Sequence, residues 1–389
     1  MGDPNEAVIT VEDGMARIDA AAWDACANPP GRSYNPFVTH RFLLALERSG
    51  AVSGATGWLP RHLVLRGADG TVAGCVPAYV KSHSLGEYVF DHGWADAYER
   101  AGGRYYPKLQ VSVPFTPVTG PRLLVPTVPD ADRRRQLLAA GLTKLTGQAK
   151  LSSAHITFIA AEDRAVLESM GFLMRQDQQF HWTNEGFASF DDFLAALQSR
   201  KRKTLRKERQ QAVADGVTIE WVTGSDIREE HWDAFFAFYM DTGSRKWGRP
   251  YLNRDFFSLV SEAMNEDILL VMCKRAGRYI AGALNFIGSD TLFGRYWGAI
   301  EHHPFLHFET CYYQAIEFAI ARGLKRVEAG AQGEHKLARG YLPHATWSAH
   351  YIADPGFAEA VSAYLARERE HVEEMRTVLC EYSPFRQDT

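Results

Sequence analysis

The stretch Leu167-Glu168-Ser169-Met170-Gly171-Phe172-Leu173-Met174-Arg175-Gln176-Asp177-Gln178-Gln179-Phe180-His181-Trp182 has a counterpart in Gly340-Tyr341-Leu342-Pro343-His344-Ala345-Thr346-Trp347-Ser348-Ala349-His350-Tyr351. In each, a glycine–aromatic pair is followed ten residues on by a histidine–aromatic pair. A second parallel joins it: Leu63-Val64-Leu65-Arg66, a glycine turn and Ala73-Gly74 match Leu270-Val271-Met272-Cys273, the turn at Gly277 and Ala281-Gly282. Two matches in the same order favour a duplicated fold. At 389 residues the chain exceeds what one hydrophobic core usually supports. Two domains are therefore expected, 1–185 and 186–389, with the boundary near Asn184–Ala188 and a cleft between them.

Outward from these stretches, strands and helices alternate. The first half predicts a helix over Phe37–Arg48 and a hairpin of Arg61–Arg66 and Thr71–Val80 about Gly67-Ala68-Asp69-Gly70. The Pro-rich Val113–Pro121 reads as irregular and cleft-lining. A helix over Asp130–Lys150, a strand Ala154–Ile159, a short helix Glu162–Met170 and a strand to Trp182 complete that half. The second half predicts one long helix Phe190–Ala214, a strand Thr218–Val222, and helices His231–Tyr239 and Arg254–Met264. A meander Ile268–Lys274, Tyr279–Ile287, Thr291–Ala299 follows. In Phe308–Ala321, Phe308, Cys311, Tyr312, Ala315, Ile316, Ala319 and Ile320 fall on one helical face, and Gly323 suits its C-terminal end. Strands Arg326–Ala329 and Trp347–Ile352 and a helix Gly356–Met375 close the chain. The fold class is α/β, with mixed α+β sheets flanked by helices.

A net charge of −4 does not favour bulk capture of nucleic acid, so any basic function must be local. The five cysteines form no CxxC and no Cys/His zinc spacing, which predicts reduced thiols. The stretch MGDPNEAVITVEDG has neither the basic nor the apolar region of a signal peptide. No run approaches the ~20 apolar residues of a membrane span. A soluble, cytoplasmic protein is expected. His302, His303 and His307 lack an acid at ligand spacing, so no metal is expected.

Two segments carry candidate chemistry. Ser189-Phe190-Asp191-Asp192 is a helix-start signature. On one continuous helix Leu194, Leu197, Leu205 and Ala212 share a face, flanked by Arg202, Arg206 and Arg209 on one side and Arg200, Lys203 and Lys207 on the other. A charge run is commonly a solvated face. Lys201, four residues from both Leu197 and Leu205, sits instead on the apolar stripe, where a lysine snorkels or meets an anion. Such clustered donors suit phosphate or carboxylate.

The second segment is Glu328-Ala329-Gly330-Ala331-Gln332-Gly333-Glu334-His335-Lys336-Leu337-Ala338-Arg339. Acyl transfer to an amine needs a base for the amine's proton and donors for the oxyanion. Glu328, Glu334 and His335 are candidate bases, with His350 as either a repeated core histidine or a catalytic one. Gln332, Lys336 and Arg339 are candidate substrate contacts. Arg295, in the otherwise apolar Gly294-Arg295-Tyr296-Trp297, needs a partner such as Glu309 or Glu328. Tyr296, Trp297, Glu309 and Tyr312 join it as substrate-side candidates. Asp91-His92-Gly93-Trp94 and Tyr105-Tyr106 are read as lining a first-domain cleft. No comparable ionisable cluster is expected in the first half, so the reaction is placed in the second.

Ser199-Arg200-Lys201-Arg202-Lys203, Tyr251-Leu252, Gly294–Gly298, Leu306-His307-Phe308-Glu309, Cys311-Tyr312-Tyr313 and Glu328–Lys336 resemble the FemAB-like predicted N-acyltransferases. Tyr106-Pro107-Lys108 and Pro114-Phe115-Thr116-Pro117 extend the resemblance into the first half, so it covers nearly the whole chain. These are bacterial relatives of the Fem peptidoglycan aminoacyl ligases. The resemblance implies two tandem GNAT-like domains and transfer of an acyl or aminoacyl group to an amine of a small-molecule or peptidoglycan-precursor-like substrate. It also implies that the basic helix lies by substrate phosphates. Acyl-CoA-using GNAT enzymes carry [QR]-x-x-G-x-[GA] before the helix, where backbone N–H groups cradle pyrophosphate. Here Gly298–His307 has one glycine, which argues against acetyl-CoA; Fem relatives also lack that loop and use aminoacyl-tRNA. No tightly bound cofactor is expected, the donor being an aminoacyl-tRNA acceptor end or an acyl thioester on a carrier. The alternatives are an acyl-CoA or acyl-carrier-protein-dependent N-acyl amino acid synthase, and a non-catalytic peptide- or glycan-binding protein.

Overall fold

The computed structural model describes residues 7–246, 250–330 and 333–386. In chain order the strands are β1 (Val8–Glu12), β2 (Trp58–Pro60), β3 (His62–Arg66), β4 (Val72–Val76), β5 (Ala78–Lys81), β6 (Lys108–Val111), β7 (Ser153–Ile156) and β8 (Leu173–Thr183). They continue with β9 (Val217–Thr223), β10 (Ile268–Arg275), β11 (Arg278–Ile287), β12 (Thr291–Ala299), β13 (Arg326–Glu328) and β14 (Leu342–Ile352). The helices are α1 (Ala20–Ala27), α2 (His40–Arg48), α3 (His92–Arg100), α4 (Ala131–Gln148), α5 (Ala161–Ser169) and α6 (Phe190–Ala196). After them come α7 (Ser199–Ala212), α8 (Glu229–Lys246), α9 (Arg254–Met264), α10 (Leu306–Phe308), α11 (Gln314–Ala321) and α12 (Pro355–Glu381). A π-helical turn, Glu309–Tyr313, separates α10 from α11.

The chain forms two compact units, one of Met1–Asp177 with Ala345–Glu373, the other of Gln178–His344 with Glu374–Thr389. That division differs from a single cut after residue 185. In unit 1, β5 pairs antiparallel with β6, β6 parallel with β7, and β7 antiparallel with β14; β1, β3 and β4 form a separate small sheet. In unit 2, β11 pairs antiparallel with β12, β12 parallel with β13, and β13 antiparallel with β8, while β10 and β9 extend the other side. The same pairing pattern thus occurs twice, each parallel pair being joined through helix as parallel strands require.

The strands that close these patterns carry the repeated sequence signature. β8 and β14 are 11 residues each. Each is approached through a left-handed glycine, Gly171 at φ 82° and Gly340 at φ 89°, a conformation costly to any residue with a Cβ. Their histidines then go to different units: His181 faces Glu328 on β13, and His350 faces His155 on β7. Each unit is completed by a strand from the other half of the sequence.

Two local expectations are corrected. The helix expected over Phe190–Ala214 is broken at Leu197, which is extended (φ −79°, ψ 154°) and bridges Phe385, while the Gln198 N–H donates to the Pro384 carbonyl at 2.9 Å. Leu197 is therefore not on α7, and Leu205, Glu208 and Ala212 form its buried face. The Pro-rich segment is buried rather than cleft-lining: the Gly120 N–H donates to the Phe158 carbonyl, and Gly120's carbonyl accepts from Ala160, both at 3.0 Å. Among the described residues no helix is long and apolar enough to cross a membrane.

Candidate active site

β12 and β13 pair only over Thr291–Phe293 and Arg326–Glu328. Beyond that point β13 ends, and β12 carries an extra residue against β11: Tyr296 faces Leu284 and Gly294 faces Asn285, leaving Arg295 as the bulge. A bulge re-aims a side chain, and here it brings a guanidinium to the fork between the strands. Gly298 lets the same strand lie against helix α8, since a Cβ there would meet the Phe238 backbone at 2.3 Å.

Glu328 closes the fork. Its side chain is buried, and its Oε2 has no hydrogen-bond partner. Burial pushes the carboxyl up to about 7, with Arg295 and Arg326 opposing. Lys336 is also buried and donates to the Gly330 carbonyl at 3.0 Å. Burial, then Arg295, brings its amine down to about 8. Across from Glu328, the His181 ring stacks on His344 at 4.5 Å, and burial holds it well below the usual imidazole value. Glu328 and Lys336, each buried and each acted on by Arg295, are thus an acid and an amine poised near neutrality, as general acid–base work requires.

An aromatic wall adjoins the fork. Tyr312 and His335 share a hydrogen bond at 2.9 Å, and Phe308 lies parallel to Tyr312 with ring centres 6.0 Å apart. His307 sits 5.3 Å from Trp297 and 5.4 Å from Tyr312. Tyr296 packs instead on Tyr239. The wall is built on the π-helical turn, a feature often found at functional sites.

The basic helix sorts into two faces. Arg209 makes a fork to Glu309 at 2.8 and 3.0 Å and reaches Glu317 at 2.7 Å. Glu309, read from sequence as a substrate contact, is therefore occupied structurally. Arg206 meets Asp191 at 3.1 Å, and Arg202 lies 3.5 Å from the Ala195 carbonyl. Arg200 and Lys203 are exposed, with Lys207 one turn on, and among the described residues no carboxylate pairs with them. Lys201 is half-buried, one turn before Leu205 on the buried face of α7, without Leu197 on that helix. Glu208, the acid within this basic run, was missed. It accepts from Arg339 at 2.8 and 3.0 Å and from the Tyr313 hydroxyl. Arg339 also donates to the His335 carbonyl at 2.7 Å and lies 3.5 Å over Phe308. Arg339 is thus a strut rather than an available anion contact. The signal for Glu208 was its place between Leu205 and Ala212.

The remaining candidates fall elsewhere. Gln332 lies outside the described residues, as does the side chain of Glu334. His350 belongs to unit 1, where its Nδ1 meets His155 Nδ1 at 2.7 Å, one ring donating and the other accepting. It joins an ionisable network not expected in the first half. Lys81 and Lys108 face each other across β5 and β6, and both are fully buried. Glu87 lies 3.3 Å from the Lys108 amine and 3.7 Å from that of Lys81. Asp91 accepts from Lys108 and from the Tyr105 hydroxyl, the latter at 2.7 Å. Tyr105 is therefore a buried network member.

The FemAB-like family, described as peptidoglycan biosynthesis/recognition, matches residues 14–387. The crystal structure of FemX is similar in fold, with a TM-score of 0.55 at 12% identity over 92% of this chain and 100% of that one. L-PGS from Bacillus licheniformis gives 0.50 at 11% identity, covering 87% and 98%. A conserved protein from Bacteroides thetaiotaomicron gives 0.51 at 11%, covering 89% and 100%. No curated protein sequence matches. The fold is the tandem GNAT-like arrangement.

Proposed function

The chain belongs to the FemAB-like family, and on that premise we propose that it is an N-acyltransferase whose reaction centre is the β12/β13 fork of unit 2. It moves an aminoacyl group from an activated ester to an amine of a peptidoglycan-precursor-like acceptor. The observation that carries this reading is the buried Glu328 carboxyl, with an unbonded oxygen, in the field of Arg295, which also acts on the buried Lys336.

The chemistry follows from the two shifted groups. With its carboxyl near 7, Glu328 takes the proton of the acceptor ammonium. The neutral amine attacks the acyl carbonyl, forming the C–N bond. Lys336, largely protonated at neutral pH, donates to the developing oxyanion. The ester C–O bond then breaks as Glu328 returns its proton to the departing hydroxyl oxygen; the carboxylate then takes the remaining extra proton from the new amide nitrogen and releases it to solvent.

Two features favour an aminoacyl-tRNA acceptor end over a CoA thioester. Glu309, held by Arg209, places a carboxylate in the helical segment after β12, at the position where a pyrophosphate cradle would be needed. The Phe308–Tyr312–His335 wall and the exposed Arg200–Lys203–Lys207 face combine stacking with local positive charge, as single-stranded nucleic acid requires. α7 packs against the π-helical turn and the 334–339 segment. The test is product mass spectrometry after incubation with charged tRNA or an acyl-CoA panel and a peptidoglycan-precursor amine. Aminoacylated acceptor from tRNA, lost in Glu328→Gln, is the expected result. Thiol release from CoA would reassign the donor. Tight precursor binding with no turnover from any donor would make the chain a recognition protein.

A further inference from the structure

Unit 1 has a cavity of about 270 Å³ among α5, the start of β8, β14 and α12, lined by Arg164, Phe172, Met174, Trp347, Leu365 and Arg369 among others. All of these residues belong to the one unit. Phe172 and Met174 are buried members of the unit 1 core, and Leu365 is 1% exposed, so these three side chains form a fixed apolar part of the lining.

The charged part of the lining is differently disposed. The Arg164 guanidinium lies flat on the Trp347 indole, 3.3 Å from its centre. Stacking covers the face of a guanidinium and leaves its in-plane N–H groups for other partners. Among the described residues its one acidic neighbour is Glu168 on the same helix, 3.9 Å away with a side chain 58% exposed, a geometry that contributes little. Arg369 spends one nitrogen on the Met174 carbonyl at 2.6 Å. By contrast Arg175, between the same elements, has its fork filled by Glu368 at 2.8 and 2.7 Å. Arg164 and Arg369 are thus two cations in a lining whose acid, Glu168, is largely exposed, beside buried apolar side chains.

We propose that this cavity binds a small carboxylate with an apolar tail, an aromatic or medium-chain alkyl acid. Its carboxylate meets the N–H edges of Arg164 and Arg369, and its tail lies against Phe172, Met174 and Leu365. The volume corresponds to about nine waters at roughly 30 Å³ each, which suits a benzoate- or hexanoate-sized ligand. Carboxylate on guanidinium supplies direction, and the tail supplies burial in a pocket that is already formed.

Calorimetric titration of the full chain with hexanoate, benzoate, acetate and hexylamine tests this. Hexanoate or benzoate should bind at least about tenfold more tightly than acetate or hexylamine, a difference of ~1.4 kcal/mol. Arg164→Ala and Arg369→Ala should each weaken that binding by about tenfold or more, while Arg133→Ala, an exposed arginine elsewhere in unit 1, should not. Arg164→Lys keeps the charge and loses the flat stack, so it should bind weakly and melt normally. The proposal is overturned if no acid binds up to about 10 mM, if acetate or hexylamine binds as well as hexanoate, or if both alanine variants keep the original affinity.

Discussion

Burial lifts the Glu328 carboxyl from 4.5 to about 7, and the sign of that shift sets a stability cost. A group whose folded value is raised contributes fully below the unfolded value, and that contribution is lost as pH rises through the folded one. The cost above pH 7 is on the order of 3 kcal/mol for a shift of this size. Glu328→Gln should therefore melt higher than the parent at pH 8, with the gap closing by about pH 4.5. If Glu328 is the base, turnover should drop by ~10²–10⁴-fold. Paired thermal melts and rates check both; an equal melting gap at the two pH values, or full activity, would refute the assignment. Glu328 was legible because it ends a strand and small residues follow it. Glu309 was not, because the guanidinium that occupies it is Arg209, a hundred residues upstream.

At the scale of elements, α7 has an occupied face and an open one. Arg200→Ala and Lys203→Ala should melt within about 0.5 kcal/mol of the parent and raise the donor KM. The effect should be largest at low salt, where attraction is least screened. Arg209→Ala removes the main partner of the buried Glu309, and should cost roughly 3–5 kcal/mol in a denaturant titration. A normal donor KM in the first two variants would make that face merely solvated. Helical periodicity located this segment, but it could not reveal the break at Leu197, whose bridge to Phe385 is a tertiary choice over local propensity. That one extrapolation carried the apolar stripe back to Leu197, which lies outside α7.

The lysine pair on β5 and β6 was equally hidden, since like charges directly opposite are unfavourable without partners, and the partners come from the segment that follows β5. Burial alone would raise the Asp91 carboxyl, but Lys108 and His155 outweigh it and hold it below the ordinary 3.8. Its contribution is therefore present above 3.8 and lost as pH falls through the lower folded value. Asp91→Asn should destabilise the protein at pH 7 and blunt its acid unfolding below pH 4, measured by pH-dependent melts. An acid limb as steep as the parent's would remove Asp91 from that role.

At the scale of the molecule, the duplication was legible because two spacings repeat in order. Which strand completes which unit was not, because local pattern identifies a strand without naming its partner. Unit 1 takes Ala345–Glu373 from the far end of the sequence, and unit 2 begins at Gln178. A fragment of residues 1–185 should consequently fail to fold alone, while co-expression with 186–389 should recover soluble protein in a co-purifying pair. A cooperative melt from the short fragment by itself would refute this.

The same exchange sets a timetable during synthesis. From Asp177 to Glu373 the ribosome must add 373 − 177 = 196 residues before unit 1 can close. At about 5–20 residues per second that is roughly 10–40 s. Throughout that interval β7 has β6 on one side and nothing from β14 on the other, an open strand edge of the kind that recruits neighbouring chains. The nascent protein is thus most exposed to aggregation midway through its own translation, and its yield should depend on chaperones acting on the ribosome-bound first half.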